Sequence, residues 1–190
     1  KDCSLIEQMT RSFNYPEKSK IKSAQDLEEM GIKTYFFSNV CAAYNKATYE
    51  VLGGFTKQAI FNEDMYYAAE LINSGYRTAY QAEARVIHSH NYSCRQQFHR
   101  NFDMGVSQAC RPEIFQEVPS VGEGVMLVKS TAALLVKRKK PWLLAILFVQ
   151  SASKYLGYFL GKRYQRLPKT VIRLCTMNLE YWKRVWNAGN

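Results

Sequence analysis

Two neighbouring carboxylates, Glu63 and Asp64, stand on a predicted loop that leads into a helix predicted over residues 65–73. A Gly53-Gly54-Phe55 turn precedes them. A carboxylate whose pKa is raised by burial, or by a like charge beside it, can remove a proton from a hydroxyl group. Acidic residues also favour the positive end of a helix, so a purely structural role as a helix cap is the alternative.

Two imidazoles follow at the end of segments predicted to be extended over residues 76–90. His88 and His90 are two residues apart, which places both on one face of an extended chain. Either could bind a metal ion, or could simply be hydrogen-bonded at a strand end. A zinc site that adds Cys94 and His99 is a further alternative, although this spacing is not typical of structural zinc.

The elements that would position these groups alternate between strand and helix. Ser23 and Asp26 indicate the start of a short helix that Gly31 ends. The apolar run 32–43 is predicted to be a buried central strand. The other predicted helices cover residues 46–52, ended by the Gly53-Gly54 turn, and 95–109. This alternation predicts an α/β fold.

The C-terminal third differs in charge from the rest of the chain. Residues 1–124 contain 13 basic and 15 acidic residues, whereas residues 125–190 contain 13 and 1, a net charge of +12. We place a domain boundary near residue 119, so the predicted domains are 1–119 and 120–190. Ser120 and Glu123 form a predicted capping box for a helix that runs to Lys140.

Residues 142–164 have a basic amphipathic pattern. Most of the large apolar residues are predicted to fall on one side of a helix, with Lys154 and Lys162 elsewhere: Leu144, Leu147, Phe148, Tyr155, Tyr158 and Phe159. Polar residues from Gln150 onward interrupt the apolar run, so we expect a helix on a membrane surface and not a span. Five cysteines without a paired pattern indicate a reducing compartment.

Four segments together resemble the second half of family 2 glycosyltransferases in order and approximate spacing. They are Ser38–Tyr44, Leu52–Phe55, Asn62–Asp64 and Val86–His88. Within that family the likeness is greatest to bacterial rhamnosyltransferases, which have segments similar to Arg11–Pro16, His88–Ser93 and Gln97–Phe102. The resemblance covers about residues 10–110, continues more loosely to the end, and implies the C-terminal part of a GT-A-like domain followed by a helical, basic appendage.

The resemblance implies a role for each candidate residue. Asp64 would be the general base of an inverting sugar transfer, and Glu63 would orient Asp64 or the acceptor. His88, 24 residues after Asp64, would help to bind a divalent metal, Mg²⁺ or Mn²⁺, with His90 as the alternative. The expected substrate-binding residues are Gly53, Gly54, Phe55, Asn62 and Arg100, of which Arg100 could contact diphosphate oxygens.

Nothing before Ser38 resembles the nucleotide-binding half of such enzymes, and no two aspartates form a D-x-D motif. We therefore expect the nucleotide-binding half to hold most of the metal's ligands. We expect the present chain to be inactive by itself. The resemblance implies dTDP-rhamnose as donor and a lipid-linked cell-surface glycan as acceptor. The basic amphipathic pattern of the C-terminal residues predicts a cytoplasmic, peripheral location on the inner face of the plasma membrane.

The alternative function is a non-catalytic basic module that binds a membrane surface or nucleic acid. Thirteen cations interleaved with aromatic residues could follow phosphates and stack on bases. The aromatic residues mix with Leu, Ile and Val at helical spacing, however, and no nucleic-acid-binding motif is present. We therefore expect an anionic membrane surface as partner, and not nucleic acid.

Overall fold

The structure is a computed structural model that describes residues 3–88, 90–116 and 121–188. Two three-residue strands, β1 (Lys20–Lys22) and β2 (Thr78–Tyr80), pair antiparallel with Ile21 opposite Ala79. The α-helices are α1 (Leu5–Asn14), α2 (Leu27–Met30), α3 (Lys46–Val51), α4 (Glu63–Asn73), α5 (Cys94–Cys110), α6 (Pro112–Phe115), α7 (Val121–Lys137), α8 (Leu143–Gly161), α9 (Lys169–Cys175) and α10 (Leu179–Ala188). Short 3-10 helices cover Ala24–Asp26, Gly31–Thr34 and Tyr164–Arg166.

The described residues form two compact units, and each is considered by itself. The first draws on Lys1–Lys57, Asn62–Asn91 and Ile114–Leu127, and the second on Gln58–Phe61, Tyr92–Glu113 and Val128–Asn190. The predicted boundary near residue 119 lies outside the described residues, as does Ser120 of the predicted capping box. The α/β, GT-A-like class and the two predicted domains stay predictions.

The first unit is organised around α4. Five of its residues are buried: Tyr66, Tyr67, Ala68, Ala69 and Ile72. The ring of Tyr66 packs against that of Phe115 in α6, with 6.0 Å between centroids. Helical spacing of apolar residues therefore predicted this helix correctly, but α4 begins two residues earlier than expected. The acidic pair is consequently part of its first turn and does not lie on a loop.

The predicted central strand over residues 32–43 is wrong. Its first part is the 3-10 helix Gly31–Thr34, and the described backbone beyond it forms no strand. The carbonyl groups of Lys33 and Phe36 accept hydrogen bonds from the buried ammonium group of Lys22. In a strand, such carbonyl groups would accept from the backbone N–H groups of a neighbouring strand. Burial lowers the pKa of Lys22 to about 8. Ile32, Thr34 and Tyr35 are buried, whereas residues 39–43 are exposed, so the apolar run marks burial only in its first part and does not mark strand pairing.

The second unit depends on close contact between α5 and α8. Three glycines lie where the two helices cross: Gly105 of α5, and Gly157 and Gly161 of α8. A Cβ atom at Gly157 or Gly161 would lie within 3.0 Å of the carbonyl oxygen of Phe98 or Phe102. Because only a residue without a side chain permits this approach, the backbones of the two helices pack directly on each other.

The two sides of α8 differ from the predicted amphipathic pattern. Leu147 is buried and the Tyr158 hydroxyl donates a hydrogen bond to Gln108 of α5 at 2.7 Å, whereas the side chain of Phe148 is 73% exposed. The six residues predicted to share one side are therefore split between the α5 contact and solvent. In addition, α7 ends at Lys137, three residues before its predicted end, and Lys139 adopts a positive φ of 55°.

The helix α8 has 19 residues and a mean hydropathy of 1.4 over its best 18-residue window, of which 11% is buried inside the structure. It is the one helix in the described part of the chain that is long and apolar enough to cross a membrane by length and composition. The polar residues from Gln150 onward were expected to exclude a membrane span, but the length and composition of α8 do not exclude one.

A buried carboxylate ties α5 to the turn between α9 and α10. Asp103, only 3% exposed, accepts hydrogen bonds from the Thr176 hydroxyl at 2.6 Å and from the Met177 amide at 2.9 Å. Burial raises the pKa of Asp103 to about 6, although these hydrogen bonds oppose the rise. At neutral pH, the buried charge of Asp103 therefore lowers the free energy of unfolding.

We expect Gly161→Ala to lower the free energy of unfolding by about 1–3 kcal/mol, because the added methyl group would force α5 and α8 apart. Gly124→Ala in α7 is the matched control, since a Cβ atom there meets nothing within 4 Å. This change should stabilise the helix by about 0.5–1 kcal/mol. Urea unfolding of both variants tests the contact. Equal stability of the two variants would contradict direct backbone packing.

Asp103 should make the protein less stable as pH rises from about 4 to about 6. Its raised pKa means that the folded state holds the proton longer than the unfolded chain, so ionisation favours unfolding in this window. The loss amounts to roughly 3 kcal/mol and is complete above pH 6. The difference in unfolding free energy between the wild type and Asp103→Asn, measured at pH 4, 5, 6 and 7, isolates this contribution. A difference independent of pH would contradict it.

Candidate active site

The acidic pair occupies the first turn of α4. Asn62 precedes it in a left-handed conformation with φ 61°, which asparagine tolerates better than most residues, and its side chain is buried. The Asp64 carboxylate accepts a hydrogen bond from the backbone N–H of Met65 at 2.8 Å. Glu63 and Asp64 are both half-buried. The helix start therefore supports two adjacent carboxylates that still reach solvent.

Asn39 contacts both carboxylates. Its backbone N–H donates to Asp64 Oδ2 at 3.2 Å, and its side-chain amide donates to Glu63 Oε1 at 3.2 Å. The hydroxyl of Tyr44 donates in turn to Asn39 Oδ1. A single residue thus sets the positions of the two acidic groups relative to each other, and Tyr44 sets the rotation of its amide.

Sequence reasoning did not assign a role to Asn39 or Tyr44. Both lie in Ser38–Tyr44, one of the four segments that carry the family resemblance, so the available signal was membership of that segment. The apolar pattern predicts that most of this segment belongs to a buried strand, in which side chains would point to alternate faces. Because it is a loop, both residues can turn towards the acidic pair.

The environment of Asp64 favours its protonated form. Burial raises the pKa of Asp64 above its ordinary value of 3.8, and the charge of Glu63 adds to the rise, while hydrogen bonds from Asn39 and Met65 oppose it. Burial also raises the pKa of Tyr44, with the charge of Asp64 as the next cause. Tyr44 therefore remains a hydrogen-bond donor, and the pKa of Asp64 is shifted in the direction that makes a carboxylate a better general base.

The Gly53-Gly54-Phe55 turn shapes an aromatic cluster beside Asn39. Both glycines have positive φ, 75° and 66°, as predicted for the end of a helix. A Cβ atom at Gly54 would lie within 3.0 Å of the Tyr49 ring, and the Tyr49 hydroxyl accepts a hydrogen bond from the Phe55 amide at 2.8 Å. The rings of Tyr49 and Phe55 pack with those of Tyr44 and Tyr67 at centroid distances of 5.2–6.0 Å. The turn therefore positions the rings of Tyr49 and Phe55 that pack against Tyr44.

The two imidazoles lie side by side. The rings of His88 and His90 meet edge to face with centroids 4.4 Å apart, and both are half-buried. Across residues 3–88, 90–116 and 121–188, no three histidine, cysteine or acidic side chains come together as metal ligands. The pair could therefore supply one or two ligands, and a metal bound there would need others from a substrate or from a further part of the protein.

The zinc alternative finds no support in the geometry of His99. Its Nδ1 donates to the carbonyl oxygen of Cys175 at 2.8 Å, since its Nε2 accepts from Arg95 at 3.3 Å. Both ring nitrogens therefore have protein partners, and this imidazole connects α5 to the end of α9. It acts together with Asp103 in holding the second unit.

Arg100 lies in the second unit and is held by aromatic rings. Its guanidinium group stacks over Phe61 at 4.5 Å and faces Tyr92 at 5.7 Å. Such contacts stabilise a cation while leaving its N–H groups free to turn towards a ligand. The structure thus brings together Glu63 and Asp64, and separately His88 and His90. Contact of Arg100, Phe55 or Asn62 with a substrate stays a prediction.

The chain is similar to bacterial proteins that are named as rhamnosyltransferases. It is 44% identical over 186 residues to the O-antigen chain rhamnosyltransferase RfbN of Salmonella typhimurium strain LT2, which covers 97% of this chain and 59% of that protein. It is 46% identical over 176 residues to the O-antigen chain rhamnosyltransferase WbaN of Salmonella anatum, which covers 92% of this chain and 56% of that protein.

The chain therefore spans somewhat more than half the length of these two relatives. No family model matches the sequence. No solved structure matches it either. The similarity to proteins named as rhamnosyltransferases agrees with the likeness inferred from Arg11–Pro16, His88–Ser93 and Gln97–Phe102. The assignment to family 2, which the four other segments suggest, and to the GT-A fold stays a proposal.

The histidine pair gives a prediction that needs no assay of sugar transfer. In the full-length protein, His88→Ala should weaken binding of Mn²⁺ in the presence of nucleotide diphosphate, because an imidazole ligand is lost, while His90→Ala should have a smaller effect. The electron paramagnetic resonance signal of free Mn²⁺ reports the binding. If only the His90 variant loses affinity, His90 is the ligand. If neither does, the pair has no metal role.

Proposed function

We propose that the chain carries the acceptor-side, general-base part of an inverting glycosyltransferase that transfers rhamnose to a glycan. The observation that supports this most is the acidic pair: Asn39 holds Glu63 and Asp64 together at a helix start, and burial raises the pKa of Asp64. The relatives are named for rhamnosyl transfer to the O-antigen chain, which agrees with the proposal.

In the proposed mechanism, Asp64 removes the proton of an acceptor hydroxyl group. The acceptor oxygen attacks the anomeric carbon of the donor sugar, and the bond from that carbon to the diphosphate oxygen breaks on the opposite side. The nucleotide diphosphate leaves with the bond's electron pair, and the configuration at the anomeric carbon inverts. Glu63 keeps a negative charge beside Asp64 and orients it or the acceptor.

A divalent metal, Mg²⁺ or Mn²⁺, would supply the positive charge that stabilises the departing diphosphate. His88, or His90 beside it, would contribute an imidazole to that site. Arg100 would add hydrogen bonds to diphosphate oxygens. The remaining ligands would come from the nucleotide-binding half of the enzyme, which these 190 residues do not resemble.

The donor we propose is dTDP-rhamnose, and the acceptor a lipid-linked glycan of the cell surface. The names of the two relatives support the sugar and a glycan acceptor, and the likeness of the four segments supports a nucleotide-sugar donor. The net charge of +12 in residues 125–190 supports a peripheral location on the inner face of the plasma membrane, where lipid-linked acceptors would be within reach.

The rival function is the non-catalytic module, with the acidic pair as a helix cap. The hydrogen bond from Met65 to Asp64 favours it, because a carboxylate that accepts from the first turn of its own helix stabilises that helix. The two functions differ in what a neutral amide would do at this position. A cap predicts mainly a loss of stability, whereas a base predicts mainly a loss of turnover.

We expect Asp64→Asn in the full-length protein to lower kcat for rhamnosyl transfer by roughly 10²–10⁴-fold, since a general base contributes about this much. Donor affinity and the unfolding midpoint should change little. Because the raised pKa leaves Asp64 protonated at low pH, kcat/KM of the wild type should fall as pH drops through that pKa.

The matched control is Glu63→Gln, which removes the neighbouring charge but keeps Asp64. It should lower the pKa of Asp64 and shift the acidic limb of the profile to lower pH, with a smaller loss of kcat. Near-normal turnover by Asp64→Asn would overturn the assignment of the base. A large loss of stability with unchanged turnover per folded molecule would favour the cap.

A further inference from the structure

One side of α8 is apolar and faces outward. Helical spacing places six residues opposite the glycines that meet α5, and we call them the outer face: Ala145, Phe148, Val149, Ala152, Leu156 and Phe159. Phe148 is 73% exposed, Leu156 54% and Val149 52%. Tyr155, 56% exposed, borders this face, and the first charged side chain in the row is that of Arg163, just beyond the end of the helix.

The inward side of the same helix is the more polar one. Gln150 and Lys154 are half-buried and lie in the row of Gly157 and Gly161, which pack on α5. A helix that only covers a soluble core shows the reverse arrangement, with polar groups outward. The outer face of α8 therefore has the composition of a surface that meets something apolar.

Basic residues flank the outer face at both ends. Lys137, Arg138, Lys139 and Lys140 come immediately before α8 and are all exposed. After it, Lys162, Arg163 and Arg166 line a shallow depression, and the Arg163 guanidinium lies 3.7 Å from the centre of the Phe159 ring. The chain has no acidic residue from Val125 to Leu179.

The dimensions fit a lipid surface. A 19-residue helix is about 28 Å long, so the two basic groups lie well apart with the apolar row between them. Trp142, 65% exposed at the start of α8, is a residue type that prefers the boundary between water and lipid. Apolar side chains can enter the outer part of the acyl region while the cations remain at the level of the phosphate groups.

We propose that the outer face of α8 is the surface by which this protein docks on an anionic membrane, with α8 parallel to it. The inference rests on the proposed membrane location and is independent of the sugar-transfer chemistry. Charge complementarity selects the occupant: a second copy would bring a like-charged surface against this one, whereas anionic headgroups neutralise the cations at both ends.

The test is co-sedimentation of the purified full-length protein with phosphatidylglycerol–phosphatidylcholine vesicles at low and high salt. The variant is Phe148→Ser combined with Leu156→Ser, both at exposed positions, so that folding is preserved. The matched control is Leu174→Ser in α9, which removes an apolar side chain that is 74% exposed but does not belong to the outer face. Thermal unfolding confirms that all three proteins are folded.

We expect the double variant to bind anionic vesicles at least tenfold more weakly, the control to bind within about twofold of the wild type, and salt to weaken binding further. Equal binding by the double variant and the wild type would overturn the role of α8 while leaving the membrane location intact. Absence of vesicle binding by the wild type would overturn both.

Three other outcomes would also overturn surface docking. If the double variant changes only self-association in analytical ultracentrifugation, the outer face binds a second copy. If it changes only binding to single-stranded nucleic acid, the partner is that polymer. If the wild type resists extraction from vesicles by alkaline carbonate, α8 is inserted across the bilayer instead of lying on it.

Discussion

Two carboxylates lie side by side at a partly buried helix start, where they repel each other and lose part of their hydration. The candidate site therefore depends on hydrogen-bond donors that stabilise the two charges. Asn39 supplies two of the required donors, one from its backbone and one from its side chain. Neighbouring parts of the first unit hold Asn39 in place. Tyr44 binds its amide oxygen, the aromatic cluster supports Tyr44, and Lys22 holds the loop through the carbonyl of Phe36.

The second unit solves a different problem, that of bringing two long helices into direct backbone contact. Glycines at the crossing remove the side chains that would keep α5 and α8 apart, and Asp103 and His99 then tie α5 to the end of α9. Because α8 contacts α5 through the side that carries its glycines and polar residues, the side with large apolar residues faces outward. The packing and the proposed membrane surface are thus two consequences of the same distribution of residues.

Sequence patterns predicted α3, α4 and α5 well, because helical spacing, glycine stops and caps are local signals. The helix start predicted from Ser23 and Asp26 is also present, and the Ser23 backbone N–H donates a hydrogen bond to Asp26 Oδ2 at 2.9 Å. The strand over residues 32–43 failed because apolar density does not specify which group satisfies the backbone carbonyls, here Lys22, and because only the first part of the run is buried. The pattern of apolar residues did not predict which side of α8 is buried. Such a pattern assumes that the largest apolar residues are buried, whereas α8 packs on α5 through its glycines.

For the candidate site, residue types identified the acidic pair and the histidine pair, but not Asn39, whose role comes from a loop that turns back on α4. The account is tested most directly by the ionisation of Asp64 itself. A carbon-13 NMR titration of the side-chain carboxyl groups, with Asp64 assigned from the signal lost in Asp64→Asn, measures its pKa. We expect a value above 3.8, and a value at or below 3.8 would contradict the proposed role of Asp64.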